Sequence, residues 1–174
     1  MLIQIGRGGA APQDDVVGAL LACHGRIRAF TAIAQRMLVG AAAPAEVADA
    51  AARVERYFRV ALPLHSADEE LSLCPRLRAA PVTQDVVDAL SAMMDEHTPI
   101  EALLECLLPR WATLARDPLE LPALAAELAR ATAELDRLFQ AHLAREEQEL
   151  FPAVREHLAC DELVIRAEMV ARRA

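Results

Sequence analysis

Apolar residues recur along this chain at the three-to-four-residue spacing of amphipathic helices. The pattern predicts four long helical segments and a shorter fifth, at about residues 14–39, 44–78, 83–114, 119–150 and 161–172. Long helices joined by short connections favour an all-α, up-down-up-down four-helix bundle with a short C-terminal helix. We therefore expect three parts: a flexible lead (1–13), the bundle (14–160) and a helical tail (161–174).

Capping and helix-breaking residues support these boundaries. Asp14 or Asp15 can cap the first segment, and Gly40 follows its last apolar position. Proline lacks the amide hydrogen that an interior helical residue donates. We therefore expect bends or breaks at the interior prolines Pro63, Pro99, Pro109 and Pro152.

One string of residues occurs twice, in the second and fourth segments. HSADEELSLCP (65–75) and HLAREEQELFP (142–152) share a histidine, two adjacent glutamates, a leucine and a proline at identical spacing. The other two long segments each carry a lone histidine, His24 and His97. Each half of the chain is thus a helical hairpin with one lone histidine and one His-x-x-x-Glu pair. Two such hairpins can pack around a pseudo-twofold axis.

The repeated pairs have the spacing of metal ligands on one helix face. Residues four apart point the same way, and apolar neighbours direct these side chains towards the bundle interior. Buried imidazoles and carboxylates are costly unless they are paired or bind metal. Two carboxylates bridging two ions, with two histidines at each outer end, would satisfy every group. The candidate ligands are His24, His65, Glu69, His97, His142 and Glu146.

Nitrogen and oxygen ligands with open coordination positions suit non-haem iron, and manganese or zinc are chemical alternatives. The open positions would take water, dioxygen, nitric oxide or peroxide. Other nearby polar residues have simpler interpretations. Glu70 and Glu147, about 100° around the helix from the ligands, would support them or face solvent in preference to binding metal directly. Glu101 could add an oxygen ligand or be solvated, His157 should lie on the surface, and Tyr57 is a candidate proton donor or a core residue.

Composition limits the classes of partner and location. A net charge of −8 and only 3% aromatic residues argue against nucleic-acid binding. The four cysteines are scattered, which is typical of reduced, mostly buried thiols in a cytoplasmic protein. We see no signal peptide and no apolar segment of the roughly 20 residues that span a bilayer. We expect a cytoplasmic protein without a membrane partner, in which 55% hydrophobic residues could leave surface for a homodimer.

The two repeated strings, His24 and Glu96-His97 together resemble the hemerythrin-like HHE cation-binding family over about residues 14–160. The resemblance implies a four-helix bundle around a di-iron centre. In it the four histidines would be terminal ligands, and Glu69 and Glu146 would bridge the ions. Hemerythrin itself uses five histidines. A set of four histidines and two glutamates is more similar to the di-iron domain of bacterial iron-centre repair proteins.

The leading hypothesis is a di-iron protein that binds or senses small oxidants (O₂, NO or peroxide), as in oxidative stress, or that handles iron. Two alternatives stay open. One is an oxidase, or a peroxide- or NO-consuming enzyme, at the same centre. The other is an interaction module whose metal stabilises or switches the fold. Whether the protein is an enzyme is left undecided by the residues.

Overall fold

The computed structural model describes residues 15–39 and 42–174, and these contain helices and no β-strand. The four long helices are followed by a shorter one: α1 (Val16–Arg36), α2 (44–79), α3 (Gln84–Arg116), α4 (121–157) and α5 (Glu162–Ala171). A short 3₁₀ turn, Pro118–Glu120, joins α3 to α4. The all-α bundle prediction is confirmed. The predicted lead, Asp14 and Gly40 lie outside the described residues, and the division at residue 160 stays a prediction.

The first helix begins where its cap predicts. Asp15 has extended backbone, and its side chain accepts a hydrogen bond from the amide of Gly18 at 2.5 Å. A second carboxylate, Glu162 at the start of α5, accepts from the amide of Val16 at 2.8 Å. Both carboxylates satisfy amides that would otherwise lack partners at the positive end of the helix dipole. The chain's C-terminal part is thereby tied to the start of α1.

Three wide π-type turns interrupt α2 and α4 without breaking them: Tyr57–Ala61, Glu69–Leu73 and Glu146–Leu150. The second residue after each turn is a proline: Pro63, Pro75 or Pro152. A proline cannot donate to the carbonyl four residues earlier and would clash with it, so the turn widens. The expected disruptions at Pro63 and Pro152 therefore take the form of wide turns. α4 consequently continues past the predicted end at residue 150, to His157.

The other two interior prolines do not divide their helix, and the predicted bend at either one stays a prediction. α3 runs from Gln84 to Arg116 as one helix that includes Pro99 and Pro109. Its length lets it pack against both α2 and α4, and those contacts are among the most extensive in the bundle. Tertiary packing therefore outweighs the loss of a hydrogen bond at each proline, and neither residue divides the helix.

The bundle has two apolar clusters, one on each side of the histidine and glutamate layer. One is built around the aromatic side chains of Phe58, Trp111 and Phe139. The other contains Leu90, Met93 and Phe151, with residues contributed by α5. Because hydrophobic side chains close the bundle above and below, the polar layer between them is shielded from bulk water.

α5 is docked by charged contacts beside this layer. Arg172 and Arg173, just beyond its end, both donate to Asp68, which is only 1% exposed. One turn earlier, Glu168 accepts hydrogen bonds from Ser72 and Arg76. All of these partners lie on α2, within or beside the turn that begins at Glu69. The tail helix therefore braces the part of α2 that carries His65 and Glu69.

Among the described helices, α1 meets the length and composition criteria for a membrane span. This corrects the expectation that no segment is long and apolar enough. Core helices of soluble proteins pass the same test, and α1 places Val16, Leu20 and Ile27 fully inside the bundle. The finding is therefore weak evidence for a membrane segment.

Candidate metal centre

The structure brings all six predicted site residues to one layer in the bundle interior. α1 carries His24, α2 carries His65 and Glu69, α3 carries His97, and α4 completes the set with His142 and Glu146. Their exposed fractions range from 0% for His24 to 7% for His97. The inward orientation that the helical spacing predicted is confirmed for each side chain.

Each glutamate lies between histidines of opposite hairpins. Glu69 Oε1 is 3.1 Å from His65 Nε2, and its Oε2 is 3.8 Å from His97 Nε2. Glu146 Oε2 is 3.0 Å from His24 Nε2, and its Oε1 is 3.2 Å from His142 Nε2. Each carboxylate therefore directs one oxygen towards each half of the layer, which is the arrangement that a bridging carboxylate needs.

Two overlapping groups of potential ligands result from this arrangement. His24 and His65 form one group with both glutamates, while His97 and His142 form the other with the same two glutamates. Within each group one ligand atom per residue lies within 4.8 Å of all the others. Four ligands of mixed nitrogen and oxygen type at such spacing can surround one cation, so the layer has room for two.

Most of the buried polar side-chain atoms that lack hydrogen-bond partners in the described part of the chain belong to this layer. They are His24 Nε2, both nitrogens of His65, His97 Nε2 and all four oxygens of Glu69 and Glu146. Unpaired buried polar atoms are strongly unfavourable in a folded protein. Metal ions would satisfy the Nε2 and carboxylate atoms together, and the donor set therefore fits a cation centre.

The Hemerythrin HHE cation binding domain family matches residues 15–154 and, in a second overlapping match, residues 88–174. The chain belongs to this family. The first match includes all six buried candidate ligands, and the second begins inside α3. No curated protein matches the sequence. Family membership and the His/Glu clusters together identify a domain able to bind metal cations.

Three histidines of this HHE domain are held from behind by further carboxylates. His24 Nδ1 lies 2.8 Å from Glu147 Oε1, and His97 Nδ1 lies 2.6 Å from Glu70 Oε1. His142 Nδ1 lies 3.2 Å from an oxygen of Glu96. Ionised carboxylates only accept hydrogen bonds, so Nδ1 is the donor in each contact, and a ring that carries a single proton presents a lone pair at Nε2. Within each of the two groups, lone pairs of nitrogen and oxygen thus point towards a common centre, where a cation would bind.

These contacts refine the expectation for Glu70 and Glu147. Each one supports a candidate ligand, and that histidine lies on a helix of the other hairpin. Glu96 is a residue that sequence reasoning used only for the family resemblance. Its place next to His97 was visible in the sequence, but its contact with His142 depends on how α3 meets α4. Arg145 holds the other oxygen of Glu96 at 3.0 Å, and Arg28 holds Glu147 at 2.8 Å.

Burial controls the protonation of the central groups. It lowers the pKa of His65 to about 3 and also lowers the pKa of His142, so both imidazoles are neutral at physiological pH. Burial, together with the nearby charge of Glu146, raises the pKa of Glu69 well above its usual range. The HHE domain thus offers neutral imidazole nitrogens at His65 and His142, and a Glu69 carboxyl whose ionised form is disfavoured until a cation offsets its charge.

A small cavity adjoins the layer on the side of the aromatic cluster. Its volume is about 20 Å³, and His65, His97 and His142 line it together with apolar residues and Glu101. A space of this size holds about one water molecule. A larger surface groove of about 400 Å³ shares Leu62, Ser66 and Glu101 with the cavity. The groove and the cavity therefore share part of a wall.

The remaining sequence candidates lie outside the two ligand groups. Glu101 is exposed and lines the cavity wall. Tyr57 donates a hydrogen bond to the carbonyl of Cys23 at 3.4 Å and stacks on Phe30, consistent with its core interpretation. His157 lies beside Glu156, away from the layer. Of the four cysteines, Cys23 and Cys74 are buried but Cys106 and Cys160 are exposed, which corrects the expectation of mostly buried thiols.

Proposed function

We propose that this HHE domain binds two iron ions and uses their open coordination positions to bind or sense a small oxidant (O₂, NO or peroxide) or to handle iron. The observation that carries the proposal is the crossed arrangement of Glu69 and Glu146. Each carboxylate reaches one histidine of either hairpin and has no hydrogen-bond partner among the described residues. Such carboxylates are suited to bridging a pair of cations.

The water-sized cavity supports a small exogenous ligand. Three of the proposed histidine ligands line it, and its volume of about 20 Å³ would admit water, a diatomic molecule or peroxide rather than an organic substrate. When bound, iron supplies redox-active open positions for such ligands, whereas manganese and zinc would fit the same donors with different chemistry. The protein's own residues orient the imidazoles and exclude bulk water.

Anaerobic reconstitution with Fe²⁺ tests this function. We expect about two iron ions per chain by metal analysis, and an optical spectrum that changes on addition of air, NO or peroxide. His65→Ala should bind clearly less iron, whereas His157→Ala, outside the ligand groups, should bind as much as the wild type. Iron far below two per chain in the wild-type protein, or undiminished binding in His65→Ala, would contradict the proposal. Competition among Fe²⁺, Mn²⁺ and Zn²⁺ identifies the preferred metal.

A second candidate, a peroxide-consuming enzyme, is favoured by the position of Glu101. This exposed carboxylate lines both the small cavity and the surface groove, so it could exchange protons between solvent and a bound peroxide. Glu101→Gln should then lower the steady-state rate of peroxide consumption about 10²-fold or more while iron content stays unchanged. Equal rates in the variant and the wild type would favour reversible binding or sensing instead.

A further inference from the structure

The two halves of the centre are related by the sequence repeat but differ in the residue that precedes the lone histidine. His24 corresponds to His97, and His65 corresponds to His142. The residue before each lone histidine is not repeated, because Glu96 precedes His97 whereas Cys23 precedes His24. Glu96 is the residue that contacts His142 Nδ1. The symmetry-related partner for His65 would therefore have to come from Cys23.

In the half that contains His97 and His142, each histidine has its own carboxylate behind it. Glu70 contacts His97 Nδ1 at 2.6 Å, and Glu96 contacts His142 Nδ1 at 3.2 Å while Arg145 holds its other oxygen. These contacts fix the ring orientation, assign the proton to Nδ1 and make Nε2 a stronger ligand.

The half that contains His24 and His65 has only one such contact. Glu147 holds His24 Nδ1, but His65 Nδ1 is buried and has no hydrogen-bond partner among the described residues. Cys23 Sγ instead accepts a hydrogen bond from Arg26 at 2.9 Å. Because no hydrogen bond behind His65 fixes its ring or selects its tautomer, its Nε2 should be a weaker ligand than that of His142.

We propose that the centre binds its two cations unequally, with a tightly held ion between His97 and His142 and a weaker, exchangeable ion between His24 and His65. Glu96 is the positioning residue that creates the difference. The inference rests on the proposed two-ion centre and deepens it. A centre with one resident and one exchangeable ion is suited to accepting or releasing a single iron, so the inequality favours the iron-handling form of the proposed function.

Anaerobic titration of metal-stripped protein with Co²⁺ against a chromophoric chelator tests the inequality. Removing a carboxylate that supports a histidine ligand typically weakens metal binding by about 10–100-fold. We therefore expect two binding steps in the wild type whose dissociation constants differ by about that factor. Glu96→Gln should weaken the tighter binding step and so reduce the ratio of the two dissociation constants. Glu96→Asp should restore part of that ratio. Glu105→Gln, an exposed change on the same helix, is the charge-matched control.

The assignment of the tight step to one half needs a separate readout. After one equivalent of Co²⁺, paramagnetically shifted imidazole N–H resonances should appear for the two histidines whose Nδ1–H is held by Glu70 and Glu96. One further resonance, from His24, should follow with the second equivalent. Circular dichroism confirms that each variant is folded. Appearance of the His24 signal first would overturn the assignment.

The outcomes separate this inference from the proposed function. Saturation well below two Co²⁺ per chain contradicts the two-ion centre itself. Two ions that bind with equal affinity contradict only the inequality, as does a ratio of dissociation constants that is unchanged in Glu96→Gln. Two unequal steps whose ratio falls in Glu96→Gln but not in Glu105→Gln support the inference.

Discussion

The paired glutamates of each repeated string have different roles because adjacent helical residues point about 100° apart. The first glutamate, Glu69 or Glu146, faces the centre. The second reaches across to the other hairpin, where Glu147 contacts His24 and Glu70 contacts His97. One dipeptide thus supplies a candidate bridging ligand and also orients a histidine on a different helix.

Thiol reactivity provides a prediction at this scale. Cys106 and Cys160 are exposed, whereas Cys23 and Cys74 are buried. Burial also raises the pKa of the Cys74 thiol to about 11. Since the thiolate is the reactive form, a charged aromatic disulfide reagent should label two thiols quickly in the native protein and four after denaturation. The Cys106→Ser/Cys160→Ser double variant should show no fast reaction. Rapid labelling of all four native thiols would contradict the placement of Cys23 and Cys74.

The inward orientation of the six residues was predictable because helix geometry places each His-x-x-x-Glu pair on one face, and apolar neighbours direct these pairs and the two lone histidines inward. The supporting contacts were not predictable in the same way. Whether Glu96 meets His142, and whether Glu147 meets His24, depends on the rotation and offset of neighbouring helices, which no local pattern specifies. The missing partner of His65 is likewise visible only once α1 and α2 are packed together.

At the scale of the helix, the wide turns coincide with the proposed bridging ligands. The turns Glu69–Leu73 and Glu146–Leu150 each begin at such a residue. In each, the backbone amide of the first residue after the turn donates to the carbonyl of that glutamate. π-type turns often occur at functional sites, where an extra residue re-aims a side chain. The sequence shows the repeated proline, but it predicts only a bend or break at Pro152 and no disruption at Pro75.

Replacing the proline tests whether the wide turn positions Glu146. Pro152→Ala supplies an amide that can bond to the carbonyl of Gln148, which favours closure of the turn into ordinary α-helix. We expect unchanged helical content by circular dichroism but metal binding weakened by about tenfold in chelator competition. Pro109→Ala, inside an uninterrupted helix, should leave metal affinity unchanged. Equal affinities in the Pro152→Ala variant and the wild type would show that the turn is not needed for ligand geometry.

The docking of α5 has a pH dependence. Hydrogen bonds from Arg76 and Ser72 lower the pKa of Glu168 from 4.5 to about 2. Because the folded-state pKa is the lower one, this carboxylate stabilises the fold above pH 4.5, and the contribution disappears as the pH falls towards 2. Glu168→Gln should reduce the free energy of unfolding at pH 7 by at most about 1 kcal/mol, since the ion pair is partly exposed.

Urea unfolding at successive pH values measures this contribution. The difference in unfolding free energy between wild type and Glu168→Gln should be constant from pH 7 to about 5 and shrink steadily below pH 4.5. Glu105→Gln is the exposed, charge-matched control and should show no such trend. A difference that persists undiminished at pH 3 would show that the ion pair does not cause it.

At the scale of the whole molecule, two similar hairpins enclose a polar layer between apolar clusters. The bundle could be predicted because repeated amphipathic periods and short connections restrict the topology. The continuity of α3 through its prolines could not, because it depends on packing against two neighbouring helices. The cytoplasmic location and the homodimer stay predictions.

Metal binding should be strongly coupled to folding, because the ligand groups exist only in the packed bundle. At free metal about 100-fold above both dissociation constants, two ions would stabilise the protein by about 5 kcal/mol. For a domain of this size, that corresponds to a rise in Tm of about 10–20 °C. Calorimetry of chelator-treated and metal-loaded protein measures the difference. The same Tm in both forms would contradict the coupling.

Glu69→Gln should separate the metal contribution from the cost of the buried charges. In the absence of metal, burial and the charge of Glu146 raise the pKa of Glu69, so this carboxyl costs the fold stability at neutral pH, whether it stays ionised or takes up a proton. The neutral amide avoids this cost, and the metal-free variant should melt at the same temperature as the metal-free wild type or higher. The variant also lacks one bridging carboxylate, so most of the metal-induced rise in Tm should disappear.

Glu134→Gln, on the exposed face of α4, controls for loss of charge and should behave as the wild type in both measurements. A Glu69→Gln variant that melts lower without metal and keeps the full rise would show that Glu69 has a structural role rather than a role in binding cations.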